Sequence, residues 1–202
     1  MFKSLATASS TKVVALSAAA IATLMISTTA SAFSAAPELC SAATLTATFA
    51  NASTASYTAC SGAWIGSLTP STASAVSAQI FSDFGLLTSY VGKSDDSAHG
   101  PFTSNPGVTS GTLTFDSAQL GFFVIGLKSS TNFSLYEFNG GAVGISSIVF
   151  NTAGVAVNRN GKLQELSHGA LYAVTAVPEP ESYAMMLAGL AAVGFMARRR
   201  KT

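Results

Sequence analysis

The chain has 202 residues, of which 49% are hydrophobic and only 9% charged, with ten Lys plus Arg against nine Asp plus Glu. Six of the ten cations lie at the two ends, so residues 33–177 hold four cations against seven carboxylates, a net charge of −3. Such an interior lacks the basic footprint that nucleic-acid binding needs, and it is too apolar and too weakly charged for intrinsic disorder.

The N-terminus has the layout of a secretory leader. Lys3 and Lys12 supply a positive start, and Val13 to Ile26 form an apolar stretch. Its length, about 14 residues, is that of a signal-peptide core rather than a membrane span. Ala30-Ser31-Ala32 follows as a small-x-small site, with Ala30 and Ala32 fitting the narrow pockets of signal peptidase. Residues 1–32 are therefore expected to engage the Sec translocon and to be removed after Ala32.

Residues 33–176 form a passenger of about 145 residues, long enough for one domain with a real core. Cys40 and Cys60 are the only cysteines. In an oxidising exported compartment they are expected to pair. The bridge would close a loop of about 20 residues, contribute roughly 3 kcal/mol, and pin a hairpin to the following helix.

Hydrophobic alternation of period two recurs through the passenger. Leu45–Phe49, Leu113–Phe115, Phe133–Phe138, Ile145–Phe150 and Leu171–Val174 read as strands. Phe122–Leu127 is continuously apolar and reads as a central strand covered on both faces. Asn105-Pro106-Gly107, Asn139-Gly140-Gly141 and Asn160-Gly161 supply turn chemistry between strands. Ala73, Val76, Ile80 and Phe84 instead recur at helical spacing, with Thr69 as N-cap, Pro70 at the first position and Gly85 as the stop. The expected fold is mainly β, an antiparallel β-sandwich or jelly-roll-like passenger with one packed helix over 71–84.

The passenger presents no catalytic constellation in its sequence. His99 and His168 are the only histidines, the first in a turn-rich loop and the second expected to make structural hydrogen bonds. Asp95-Asp96-Ser97 offers oxygens of the type calcium takes, without the spacing of an EF-hand, and reads as a solvated loop. Asn105 and Asp116 can join it only through tertiary folding. No catalytic residue, metal ligand or cofactor is assigned. Trp64, Tyr57, Tyr90, Phe102 and Tyr136 are the aromatics available to stack on sugar rings; Trp64 is the candidate for a glycan contact, although its apolar neighbours in Gly62–Gly66 favour burial over display.

The C-terminus, residues 177–202, carries Pro178-Glu179-Pro180, an apolar run from Tyr183 to Ala197, and then Arg198, Arg199, Arg200 and Lys201. The prolines favour a stiff, extended backbone. The run reads as a short transmembrane helix over 183–197, about 22 Å long against a hydrocarbon core of ~30 Å. The basic cluster would hold its end on the cytoplasmic side. Ala184, Ala188 and Ala192 share one face.

These parts, in this order, resemble the PEP-CTERM sorting signal of Gram-negative bacteria. The resemblance implies that an exosortase in the inner membrane removes the tail and passes the protein to the cell surface or extracellular matrix. It also implies an association with exopolysaccharide and biofilm. The interior, through VGKSDDSAHGPFTSNPGVTSGTLTFDSA, FFVIGLKSSTNFSLYEFNGGAVGISSIVF and ELSHGALYA, looks like a recurrent passenger of such proteins, and no activity comes with that likeness. The expected role is structural or adhesive. The alternative is a secreted carbohydrate-active enzyme or lectin-like glycan-binding protein.

Overall fold

A computed structural model describes residues 33–175 and 186–190. Ten strands and one α-helix make up the first of these segments. The strands are β1 (Ser34–Ala35), β2 (Thr46–Phe49), β3 (Thr54–Ser56), β4 (Ala59–Ile65), β5 (Thr88–Lys93), β6 (Ser110–Gln119), β7 (Phe122–Ser129), β8 (Asn132–Asn139), β9 (Ile145–Asn151) and β10 (Leu166–Val174), with helix α1 at Ala73–Phe84. They form a six-stranded sheet of order β1-β4-β8-β7-β10-β5 and a four-stranded sheet of order β3-β2-β9-β6. All pairings are antiparallel.

Two cores share the six-stranded sheet. Between the sheets, Leu45, Leu113, Phe115, Ile148 and Phe150 from one side meet Phe123, Ile125, Leu127, Tyr136 and Phe138 from the other. On the opposite face of the six-stranded sheet, Val76 and Ile80 of α1 pack with Leu68 on Val124, Phe133, Leu135 and Tyr172. The continuous run in β7 follows from this, because alternate residues face different apolar layers. β8 is buried on both faces too, although its sequence reads as alternating.

The α-helix begins at Ala73, where its apolar spacing starts and two residues after the expected start at 71. Pro70–Thr72 forms a 3₁₀ turn first, where Thr69 N donates to Thr72 Oγ1 at 3.0 Å. Gly85 ends the helix in the left-handed region at φ 72°, its N–H bonded to Phe81 O.

Cys40 and Cys60 are disulfide-bonded, with Cα atoms 5.9 Å apart. The bridge does not pin a hairpin to the helix. It ties the 3₁₀ turn Cys40–Ala42 to β4, while the intervening β2–β3 hairpin crosses to the other sheet. Buried hydroxyls sew loops to the sheets: Ser129 Oγ donates to Glu165 O at 2.8 Å, Thr152 Oγ1 to Gln164 O at 2.7 Å, and Ser134 Oγ to Gly154 O at 2.6 Å. A chain poor in charge and rich in Ser and Thr thus satisfies many buried backbone oxygens with hydroxyls, and Lys128, itself buried, reaches Ser130 O.

Among the described residues no helix is long and apolar enough to cross a membrane. Of the span expected over 183–197, residues 186–190 are described and are helical, with Met186, Leu187 and Leu190 exposed. The rest of that span lies outside the described residues.

Candidate functional site

The six-stranded sheet has two unlike ends. At one end β7 finishes, β8 and β10 begin, and β5 gives way to its following loop. Here the turn chemistry after β5 gathers polar groups. Lys93 Nζ lies 2.6 Å from Asp95 Oδ1 and 3.1 Å from Asp96 Oδ1. Asp95 Oδ2 in turn lies 3.3 Å from His168 Nδ1, and His168 Nε2 donates to the carbonyl of Leu68 at 3.0 Å. Ser94 Oγ accepts from Gly169 N at 2.8 Å and donates to Asn105 Oδ1 at 2.9 Å. Asn105 Nδ2 donates to Ser167 O at 2.8 Å.

The cluster is structural in its wiring. His168 lies inside β10, not ahead of it, and its expected hydrogen-bonding role is met by Leu68. Burial pushes its pKa down, more than the neighbouring Asp95 carboxylate raises it. Burial also works to raise Asp95, but the Lys93 hydrogen bond and the neighbouring positive charges together hold it below the usual range. Folding brings Asn105 into this cluster, where its Oδ1 accepts from Ser94 Oγ. Asp116 meets the loop after β5 through its backbone, its N–H donating to Pro101 O at 3.1 Å. His99 is exposed, at φ 57°, with Nδ1 2.9 Å from Ser94 O. Among the described residues no group of three or more His, Cys, Asp or Glu is placed to hold a metal ion.

Beside this cluster runs an open groove of about 480 Å³, lined by Ser130, Asn158, Lys162, Leu163, Gln164 and Glu165. The Asn160-Gly161 turn shapes one wall. Asn158 Oδ1 accepts from Asn160 N and Lys162 N, each at 2.9 Å, and leaves the Lys162 side chain on the surface. The groove's lining is amide, hydroxyl and charged groups beside one leucine. Sequence reasoning missed the groove, because β10 was expected only from Leu171 and its approach carries no apolar periodicity.

Trp64 is half-buried against the helix-side core. Its Nε1–H donates to Ser61 Oγ at 3.0 Å, and Ser61 Oγ donates on to Asp83 Oδ2, which also accepts from Gln79 Nε2 at 2.8 Å. This network fastens β4 to α1. Phe102 and Tyr136 are not displayed for stacking: both are buried in the core between the sheets, Tyr136 from β8 and Phe102 through its bridge to Phe115, on whose ring it stacks. Tyr57 and Tyr90 pack edge-on against Tyr136 and Tyr172.

The fold thus defines a disulfide-bonded antiparallel β domain followed by a separate C-terminal tail. That tail matches the PEP-CTERM protein-sorting motif over residues 176–201. The chain accordingly carries a PEP-CTERM sorting signal, which implies exosortase-dependent sorting of an exported protein through a membrane-anchored intermediate. The curated proteins and the solved structures yield no match to the chain. Pro178, Glu179, Pro180 and the cluster Arg198, Arg199, Arg200, Lys201 fall within the matched motif and outside the described residues. Ala30 and Ala32, with the expected leader 1–32, also lie outside them.

Proposed function

We propose that the mature passenger is a non-enzymatic surface or matrix protein that contacts exopolysaccharide. The observation that carries this reading is the sorting motif at 176–201, joined to a β domain with a polar groove at one end. Support also comes from the groove's lining. Gln164, Ser130 and Lys162 offer donors to sugar hydroxyls, whereas Glu165 is its one carboxylate. Glycoside hydrolysis in its usual form takes two carboxylates about 5 to 10 Å apart.

The test is co-sedimentation of the full chain with polysaccharide extracted from the producing cells. Binding is expected, and it should fall at least about tenfold in a Lys162→Ala, Gln164→Ala double variant, the size of losing one or two net hydrogen bonds. Undiminished binding by that variant would remove the groove from the reading. Release of reducing ends that stops in Glu165→Gln would replace it with a glycan hydrolase. Binding lost in Trp64→Ala with folding intact would move the contact to Trp64.

A further inference from the structure

The end of the sandwich opposite the groove is apolar. Leu120 is 62% exposed, and Leu87, Phe122 and Val143 are each 46% exposed. Leu120 and Phe122 come from the turn between β6 and β7, and Val143 from the loop between β8 and β9. Leu87 lies just ahead of β5. The two loops are bonded into one surface: Gly121 N donates to Gly141 O at 2.9 Å, and Gly140 N to Gly121 O at 2.7 Å. A β-carbon at Gly144 would stand 3.0 Å from Leu120 Cδ2, so the tips touch. The described cations, Lys93, Lys128, Arg159 and Lys162, belong to the strand ends and loops of the other end.

The chain leaves for its sorting tail from this same apolar end. Ala173 pairs with Phe123, Val174 with Thr88, and Thr175 N donates to Leu87 O at 2.8 Å. Seven residues separate Thr175 from Tyr183, where the apolar run begins. Fully extended, that connection spans at most about 27 Å. A helical run of 15 residues, about 22 Å, is shorter than the ~30 Å hydrocarbon core. A helix of that length over 183–197 would draw its outer end in toward the headgroups and keep the apolar end of the sandwich within one short connection of the bilayer.

We propose that this end is a membrane-resting surface, used while the tail is attached. Leu87, Leu120, Phe122 and Val143 enter the boundary between headgroups and acyl chains of a phospholipid bilayer. Four half-exposed side chains bury too little area to hold a free protein there. Tethering makes the contact intramolecular and supplies an effective concentration in the millimolar range. Removal of the tail ends that advantage, so the same surface does not retain the released passenger. With no described cation at this end, the contact is apolar and resists salt.

The experiment uses the full chain inserted into phosphatidylcholine vesicles, with and without bromine on the acyl chains. Flotation with the vesicles comes first, and failure to float overturns the anchored intermediate on which the proposal rests. In a Trp64→Phe background, which removes the one native tryptophan, tryptophan is then placed at the apolar end by Leu120→Trp, or at the opposite end by Ile65→Trp, a residue that is 50% exposed and pairs with Asn132. Leu120→Trp is expected to shift to the blue and to lose about half its emission to the brominated lipid, as for a ring ~5–10 Å into the boundary. Ile65→Trp is expected to do neither, and high salt should change neither result. Adding Phe122→Asp and Val143→Asp should abolish the shift in Leu120→Trp while leaving the melting transition in place. Equal quenching at both ends, or none at Leu120→Trp, overturns the proposal. So does a blue shift that follows the protein-to-lipid ratio and ignores the bromine, which would assign the patch to a second copy.

Discussion

His168 has both ring nitrogens set against oxygen acceptors: the Leu68 carbonyl at 3.0 Å and an Asp95 carboxylate oxygen at 3.3 Å. A neutral ring with its proton on Nε2 satisfies the first and turns a lone pair toward the second. Protonation at Nδ1 would complete the second contact, but the ring is 6% exposed and Lys93 and Lys128 stand nearby, so burial prevails and the pKa falls below 6.5. A depressed histidine pKa means that the unfolded chain takes up a proton the folded chain refuses. The His168 contribution is therefore intact above about pH 6.5 and is lost progressively as pH falls below it. NMR titration of the imidazole should give a midpoint below 6.5, and a midpoint above it would reverse the sign. His168→Ala should cost about 1–3 kcal/mol in denaturant unfolding, because the buried Leu68 carbonyl loses its partner. Tyr172 is the opposite case. Its hydroxyl is buried without a hydrogen-bond partner, and burial drives its pKa far up. Tyr172→Phe removes a desolvated group and keeps the ring contact with Tyr90, so the melting temperature should hold or rise. A clear fall would show that the hydroxyl is satisfied in solution.

At the scale of elements, the disulfide acts on the least self-sufficient part of the chain. β1 has two residues and β3 three, all exposed, and the Cys40–Ala42 turn is itself only three residues long. The bridge, with Tyr136 Oη donating to Cys40 O at 3.3 Å, holds that turn on the six-stranded sheet. Cys40→Ser with Cys60→Ser should lower stability by roughly 3 kcal/mol, the value for a closed loop of this length. A change within about 0.5 kcal/mol would show that the turn is held by its packing alone. What was legible beforehand follows the same division. β7, β9 and α1 were readable because burial imposes an apolar pattern on their sequences. β1, β3 and β5 were not, since strands at or near an open edge meet solvent and carry little pattern. β4 was hidden by Ala59-Cys60-Ser61-Gly62-Ala63, whose small residues have weak strand preference but suit a strand pressed between a disulfide and a helix. The sorting motif was legible because its order of proline pair, apolar run and basic cluster is local. The groove was not, since Ser130 and Glu165 meet only through tertiary folding.

Along the strands, the described cations and the groove lie at one end, and the exposed Leu87, Leu120, Phe122 and Val143 lie with the exit toward the tail at the other. That arrangement makes sense for a protein held by its tail, because the end away from the membrane is the one a matrix polymer can reach. It also bears on cutting. Eight residues, 175–182, lie between the last strand and the apolar run and leave a processing enzyme little room, which favours a segment that is extended over one that folds back. Pro178 and Pro180 favour that state, since proline fixes φ near −65° and biases the preceding residue away from helix. Replacing both prolines with alanine would let residues 177–182 continue the helical run, which raises the cost of presenting them as a strand. Intact mass of protein from the medium and from the membrane fraction reads the outcome. The natural chain should appear in the medium without residues 198–201 and without residues 1–32. The Pro178→Ala, Pro180→Ala variant should accumulate in the membrane fraction with its basic cluster present. A natural chain recovered from the medium with Arg198 to Lys201 still attached would contradict removal of the tail. Full processing of the double variant would show that the enzyme reads Glu179 and the basic cluster without needing a stiffened backbone.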